Sequence, residues 1–348
     1  MSTLRTAVIG TGHLGAIHAR VYAELEGSQL VGIVDTRAER AAEIASKHGA
    51  AVIEDYRELV GRVDAVSVAT PTRSHHEIAK FFLENGVPVL VEKPITTTLE
   101  QAQDLVRTAR ERGVALQVGH IERFNPAVRA LLDDVRGARF IEVHRLSPFK
   151  FRSTDIGVVL DLMIHDLDII LSLTESEVTE IRAAGVRVLS KDTEDIANAR
   201  LSFANGCVAN ITASRISQTA MRKVRFFNPD SYVTCDMMKK EALVYQKGSA
   251  FDDFDVDALE PGAIDDPLTY VYENLIHIKK VEIKPEEPLT AALGAFFEAV
   301  RTKSEPVVTG EQGMRALQVA FDILAAIRTT LSDQIATAGL DPTSYLRD

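Results

Sequence analysis

The feature that most constrains the fold is Gly10-Thr11-Gly12-His13-Leu14-Gly15, set between an apolar run at residues 6–9 and a helix-like stretch at about 16–25. A second apolar run at 29–34 closes on Asp35, 20 residues beyond Gly15. Strand, glycine turn, helix, strand, acid is the order of a dinucleotide-binding half-site. Gly10 permits a tight turn, Gly12 admits backbone amides to a pyrophosphate, and Gly15 lets the helix pack close to the strand. The anion then rests on a helix N-terminus, where unpaired N–H groups and the dipole favour negative charge. Asp35 is spaced to accept hydrogen bonds from an adenosine ribose. Its carboxylate repels a 2′-phosphate, which favours NAD over NADP, and Arg37 and Arg40 soften that preference. A lone G-x-G-x-x-G is a weak signal that many loops carry; here the flanking strand and the spaced acid give it weight.

The alternation continues along the chain. Residues 63–69 read as a strand, followed by Thr70-Pro71-Thr72, and His75-His76 opens a helix. Residues 87–91 form a strand that delivers Glu92-Lys93-Pro94. A lysine at a strand end, next to a proline able to take a cis bond, is held rigidly and aims its ammonium at a ligand. Thr98 with Gln101 is a capping box for a helix to about 112, and 114–118 is a further strand. Five or six short strands separated by helices imply a parallel sheet covered on both faces. Gly10, Asp35, Thr70, Glu92-Lys93 and Gly119-His120 then share the C-terminal strand ends, where such sheets bind ligands.

At 348 residues the chain is long enough for two domains, each with its own core. Its net charge of −11, without a basic cluster, speaks against nucleic acid as a partner. No apolar run approaches the roughly 20 residues that span a bilayer. The opening residues lack the apolar core of a signal peptide, so a cytoplasmic location is expected. Cys207 and Cys235 are the only cysteines, too few for a disulfide framework or a thiolate zinc site.

Residues 158–173 are apolar almost throughout, with Asp161, His165, Asp168 and Ser172 set into them. Offsets of four, seven and eleven put these four on one narrow stripe of a helix, and Asp166 falls on another side. Asp161 and His165 can simply satisfy each other as a buried i, i+4 pair. They can also serve alcohol oxidation, in which a hydride leaves carbon while a base takes the hydroxyl proton. His165 suits the base near neutral pH, with Asp161 orienting it and Lys93 bonding the same hydroxyl. A metal held by Asp161, His165 and Asp168 is disfavoured, since no second His stands at ligand spacing. No metal site is expected. Neither a Tyr-x-x-x-Lys pair nor the ligand set of a zinc alcohol dehydrogenase occurs, leaving the Lys/Asp/His arrangement.

The glycine turn, Ala69-Thr70-Pro71 with His75, Glu92-Lys93-Pro94 and Asp161-x-x-x-His165 together resemble the Gfo/Idh/MocA family (glucose–fructose oxidoreductase, inositol dehydrogenase and relatives). The stretch from Leu289 through Phe296, Pro306 and Gly310 to Leu324 resembles that family's final helices. The resemblance implies an α/β chain: a Rossmann domain at 1–122, then a substrate-binding and oligomerisation domain at 123–348 built on a large, open, mostly antiparallel sheet. Runs at 198–203, 208–212, 224–227, 232–236 and 242–245 fit strands of that sheet. It also implies a homodimer or homotetramer formed through the sheet. The family's catalytic roles fall on Lys93, Asp161 and His165. Its cofactor roles fall on Gly10, Thr11, Gly12, His13, Leu14, Gly15, Asp35, Arg37, Thr70, Pro71, His75, Glu92 and Lys93.

Within the family, the segment from Gly119-His120 to Pro126, the run 148–152 and the run 160–166 look most like members acting on nucleotide sugars. The segment departs from the more usual Gly-Phe-x-x-Arg-(Tyr/Phe) form in having His120 for the aromatic. The implied reaction is NAD-dependent oxidation of C3 of UDP-N-acetylglucosamine to a 3-keto sugar. A free polyol such as myo-inositol is the alternative substrate, and a non-catalytic NAD-binding regulator is a third reading. Lys150 and Arg152 either contact a diphosphate or are ordinary surface charges. Glu122, Arg123 and Asn125 follow the last Rossmann strand and are candidates for the sugar; Glu122 and Asn125 are equally plausible as structural polar residues. The acidic segment 251–267 is assigned no chemistry, and His13 and His18 no side-chain partners.

Overall fold

The structure is a computed structural model that describes residues 3–149, 156–251, 254 and 264–338. It divides into two compact units, Met1–Phe124 with Glu286–Phe321, and Asn125–Pro285 with Asp322–Asp348. This differs from two consecutive domains at 1–122 and 123–348, because the chain returns to the first unit. The helix Pro288–Thr302 is the physical reason. Its Leu289, Leu293 and Phe296 are buried in one cluster with Val8, Ala19, Tyr22, Leu30 and Ile33. Gln117 adds a buried amide bond of 3.0 Å to the Ala292 carbonyl.

The first unit is built on β1 (Leu4–Ile9), β2 (Ser28–Val34), β3 (Ala51–Val52), β4 (Ala65–Val68), β5 (Val89–Val91) and β6 (Leu116–Val118). Their order is β3-β2-β1-β4-β5-β6, and every pairing is parallel. The helices α1 (His13–Glu24), α2 (Ala38–His48), α3 (His75–Glu84) and α4 (Leu99–Arg112) connect them. Strands β4, β5 and β6 are buried at every position, as a sheet covered on both faces requires. Ile9 pairs with both Val34 and Val68, Val68 with Val91, and Val91 with Val118. That register sets Gly10, Asp35, Ala69, Glu92 and Gly119 in one row past the strand ends. Thr98 caps α4 by accepting from the Gln101 N–H, one half of the expected capping box, while the Gln101 side-chain oxygen accepts from the Thr97 hydroxyl.

The second unit holds β7 (Phe140–Leu146), β8 (Val178–Val186), β9 (Ile196–Phe203), β10 (Val208–Ser214), β11 (Met221–Phe227), β12 (Ser231–Asp236), β13 (Glu241–Lys247) and β14 (Ile276–Lys280). Their order is β14-β13-β12-β11-β7-β10-β9-β8, antiparallel everywhere except between β7 and β10. All five expected strands are present. The pattern missed β7 and both edges: β8 has a single fully buried position and β14 none, so neither shows clean alternation. One face of the sheet buries Ile141, Val143, Leu201, Ile211, Val224 and Val233. The other carries an aromatic ladder, Phe140, Phe227, Tyr232 and Tyr245, with successive ring centres 5.6, 5.0 and 5.3 Å apart.

The apolar stretch expected as one regular helix from 158 to 173 has two parts. It opens with a π turn, Val159–Met163, and continues as α5 (Ile164–Thr174). Such wide turns recur at functional positions, where they redirect side chains out of simple helical register.

Candidate functional site

Within the first unit, the candidate nucleotide site begins at the reversal of strand order between β1 and β4. Gly10 has φ +88°, and a Cβ there would lie 2.7 Å from the Ala69 carbonyl oxygen. A Cβ on Gly15 would lie 1.8 Å from the Gly10 oxygen, so α1 sits on the turn as closely as backbone permits. Gly12 is different: a Cβ there meets nothing within 4 Å among the described residues. None of those residues demands glycine there, and the space beside it is open to a ligand. Gly12 is also the N-cap of α1 and supplies no side-chain bond to the helix start, which leaves the first N–H groups for an anion. Leu14 is half-buried and His13 exposed on that first turn.

Asp35 follows β2 and faces the same turn. Its Oδ2 accepts from the Thr11 N–H and hydroxyl, both at 2.7 Å, and its Oδ1 accepts from the Arg37 N–H at 2.9 Å. Burial opposes ionisation, but the Arg37 N–H and the two Thr11 donors outweigh it and hold the carboxyl below its ordinary range. Acceptor capacity remains on Oδ1 for a ribose hydroxyl. Arg40 is engaged by the Thr11 carbonyl and Glu43, whereas the Arg37 side chain, 68% exposed, has its Nε 3.6 Å from Asp35 Oδ1. Beyond β4, Thr70 Oγ1 is buried without a hydrogen-bond partner among the described residues, and Pro71 is exposed. An open cradle at Gly12, an uncapped helix start, an orphaned hydroxyl and a fixed carboxylate fit a dinucleotide.

His75 does not point at that cradle. Its Nε2 lies 2.8 Å from the Thr70 carbonyl and its Nδ1 3.0 Å from the Pro94 carbonyl, so the ring is a strut between two loops. Burial pushes its pKa below the ordinary histidine value, against the pull of both carbonyls and Glu92. The Lys93-Pro94 bond is cis, and Lys93 is half-buried. Glu92 is nearly inaccessible: Oε1 lies 3.0 Å from His18 Nε2, and Oε2 accepts from the Lys93 N–H at 3.2 Å. Burial raises the Glu92 pKa, but His18 and Lys93 prevail and hold the carboxyl below its ordinary range.

In the second unit, Asp161 lies in the π turn and His165 in the first turn of α5, both half-buried. Asp168 and Ser172, expected on the same polar line, differ from them. Asp168 is buried, and the Ser172 hydroxyl donates to the Ile169 carbonyl of its own helix. The helix is fixed by residues far away in sequence. Arg145 on β7 grips Asp166 through two bonds, Nε to Oδ2 at 2.7 Å and one terminal nitrogen to Oδ1 at 2.8 Å, both partners buried. Glu194 accepts from the Val159 N–H at 2.9 Å, and Arg215 bonds the Ile156 carbonyl.

Asn125 is engaged at both ends of its amide. Oδ1 caps the one-turn helix Pro126–Arg129 through the Ala127 N–H, and Nδ2 donates to the Met237 carbonyl at 3.3 Å. These bonds describe the structural alternative for that residue. Glu122 is buried and Arg123 half-buried on the turn Ile121–Phe124. Lys150 and Arg152 lie outside the described residues. No group of three or more His, Cys, Asp or Glu among the described residues is arranged to hold a metal ion.

Residues 4–120 match a family model described as an oxidoreductase family with an NAD-binding Rossmann fold, and 127–228 match the GFO/IDH/MocA C-terminal domain. The chain belongs to the Gfo/Idh/MocA oxidoreductase family. It is 37% identical over 332 residues to the UDP-N-acetylglucosamine 3-dehydrogenase of Acidithiobacillus ferrooxidans, covering 95% of this chain and 99% of the relative. A solved structure of that species' UDP-N-acetylglucosamine 3-dehydrogenase GnnA superposes with a TM-score of 0.83 at 35% identity, covering 94% and 99% of the two chains. A scyllo-inositol 2-dehydrogenase (NAD(+)) of Bacillus subtilis is 30% identical, covering 95% and 96%. This family member is an NAD-dependent oxidoreductase.

Sequence reasoning passed over His18, Arg145, Glu194 and Arg215. A signal existed for two of them. His18 is three residues beyond Gly15, on the face of α1 that the glycine presses against the strand. Arg145 shares the period-two face of Ile141 and Val143 on β7 and so points inward. Glu194 and Arg215 left no local trace.

Proposed function

We propose that this enzyme oxidises the C3 hydroxyl of UDP-N-acetylglucosamine to the 3-keto sugar. The observation that carries the reading is likeness over nearly the whole of both chains to a relative bearing that activity in its name. NAD, when bound, accepts the hydride from the sugar carbon. His165 takes the hydroxyl proton, Asp161 orients the imidazole, and Lys93 bonds the hydroxyl oxygen as negative charge develops on it. Asp35 selects NAD over NADP by its charge, and Arg37, 3.6 Å from it, moderates that preference. Glu122, Arg123, Lys150 and Arg152 are assigned to the sugar and its diphosphate.

The enzyme is further proposed to work in the cytoplasm, where NAD and nucleotide sugars are made. No described helix is long and apolar enough to cross a membrane. We also propose a homodimer or homotetramer joined through the open face of the eight-stranded sheet. The aromatic ladder on that face, partly buried within the single chain, supports it, since rows of partly exposed aromatics favour protein contacts.

Formation of NADH by the purified protein tests the substrate, with UDP-N-acetylglucosamine and myo-inositol offered separately. NADH with the nucleotide sugar alone is expected. Turnover of the free polyol alone would transfer the same chemistry to the second reading, which the inositol dehydrogenase likeness favours.

A further inference from the structure

His18 takes no part in the hydride and proton transfers, yet it is wholly buried and lies against Glu92. The two residues are 74 positions apart, one on the helix that follows the glycine turn, the other directly before Lys93. Glu92 is boxed on three sides. His18 Nε2 approaches Oε1, the Lys93 N–H is on Oε2, and a Cβ on Gly119 would lie 2.8 Å from the carboxylate carbon. Only a glycine at the end of β6 leaves the carboxylate its place.

The proton on the imidazole can be located. Glu92 accepts the Lys93 N–H on one oxygen, and its carboxylate is an acceptor toward the imidazole on the other. Nε2 must then carry the proton of the 3.0 Å contact. His18 Nδ1 has no hydrogen-bond partner among the described residues, which suits the tautomer that leaves a bare lone pair there rather than a buried, unbonded N–H.

We propose that His18 is a positioning residue: by donating from Nε2 it fixes the Glu92 carboxylate, and through it the Glu92-Lys93 backbone, against the helix of the nucleotide turn. The inference rests on the reading of Glu92 and Lys93 as cofactor-binding and catalytic groups. A carboxylate that loses this donor takes up a proton or swings aside, and Lys93 loses the alignment of its own N–H. Misplacement on the scale of an ångström costs about 100-fold in rate.

Four variants test it: His18→Leu, His18→Gln, His18→Asn and Glu92→Gln, with His18→Leu repeated in the Glu92→Gln background. NADH affinity, kcat, KM and thermal midpoint are measured for each. A glutamine amide reaches the place of Nε2, whereas an asparagine amide reaches that of Nδ1. We expect His18→Leu to weaken NADH binding and lower kcat about 10- to 100-fold. Glutamine should recover most of that loss and asparagine little, with no further loss from His18→Leu once Glu92 is Gln. A stitch that serves folding alone would move the thermal midpoint and leave kcat and NADH affinity unchanged, which would overturn the proposal, as would equal rescue by asparagine.

Should the variants fail to fold, nitrogen NMR of the His18 ring in the wild-type protein decides. A proton on Nε2 is expected, and a proton on Nδ1 contradicts the arrangement. Wild-type protein that binds NADH but turns over neither sugar would sink the substrate reading alone, because NADH affinity and the ring tautomer do not depend on it.

Discussion

The glycine turn at residues 10–15 and the helix Ile164–Thr174 present their polar groups by different means. The turn is shaped by backbone sterics among close neighbours: Gly10 against Ala69, Gly15 against Gly10. The helix is held by side chains from distant strands and loops, with Arg145 on Asp166 and Glu194 on Val159. A site fixed by backbone tolerates almost no substitution but needs no partner. A site fixed by buried charges needs each partner in place, and fails when one is lost.

The largest effect is expected at the residues proposed to handle the proton. Lys93→Ala and His165→Ala should each lower kcat by about 100- to 10,000-fold, and in His165→Ala the NADH affinity, read by calorimetry, should stay close to wild type. Full activity in both would remove these residues from the mechanism. Next comes the buried pair that holds the helix. Arg145→Leu or Asp166→Leu alone strands a charge and should cost about 3–5 kcal/mol in urea unfolding. The double variant should cost less than the worse single one, and an additive loss would show that the two residues act independently.

The glycines sharpen the contrast. Gly15→Ala forces a methyl onto the Gly10 carbonyl and should destabilise the protein by about 1–3 kcal/mol. Gly12→Ala should keep the wild-type melting temperature and weaken NADH binding, since its Cβ enters space reserved for the ligand. If Gly12→Ala bound NADH normally, the open cradle would not be the dinucleotide site. A smaller change is expected from Asp35→Ala, which should reduce the ratio of NAD to NADP efficiency, measured as kcat/KM for each. An unchanged ratio would exclude that carboxylate from cofactor choice. The smallest effect belongs to Thr98→Ala, about 1 kcal/mol from loss of the α4 cap, detectable in thermal unfolding.

The same contrast explains what could be read from the residues in order. The first unit was legible because its devices are local: the strand-end row of Gly10, Asp35 and Glu92, the cap at Thr98, and short apolar runs between glycines and helices. The return of 288–302 to that unit was not, because an amphipathic helix does not state which core receives it. In the second unit Asp161 and His165 stood out as polar insertions in an apolar stretch. The π turn did not, since a spacing of four residues looks alike in both helix types. Arg145, Glu194 and Arg215 act across gaps of 21 to 59 residues, and nothing in their own neighbourhood announces the partner. His18 belongs to the same class: its position on the inner face of α1 was visible, and Glu92 as its partner was not.

The most direct measurement follows a labelled hydride. UDP-N-acetylglucosamine carrying deuterium at C3 of the sugar is incubated with the enzyme and NAD, and the reduced cofactor and product are analysed by mass spectrometry. Deuterium in the reduced nicotinamide, together with a 3-keto sugar, is the predicted result. Deuterium retained on the sugar while NADH forms would place the oxidation at another carbon and contradict the account.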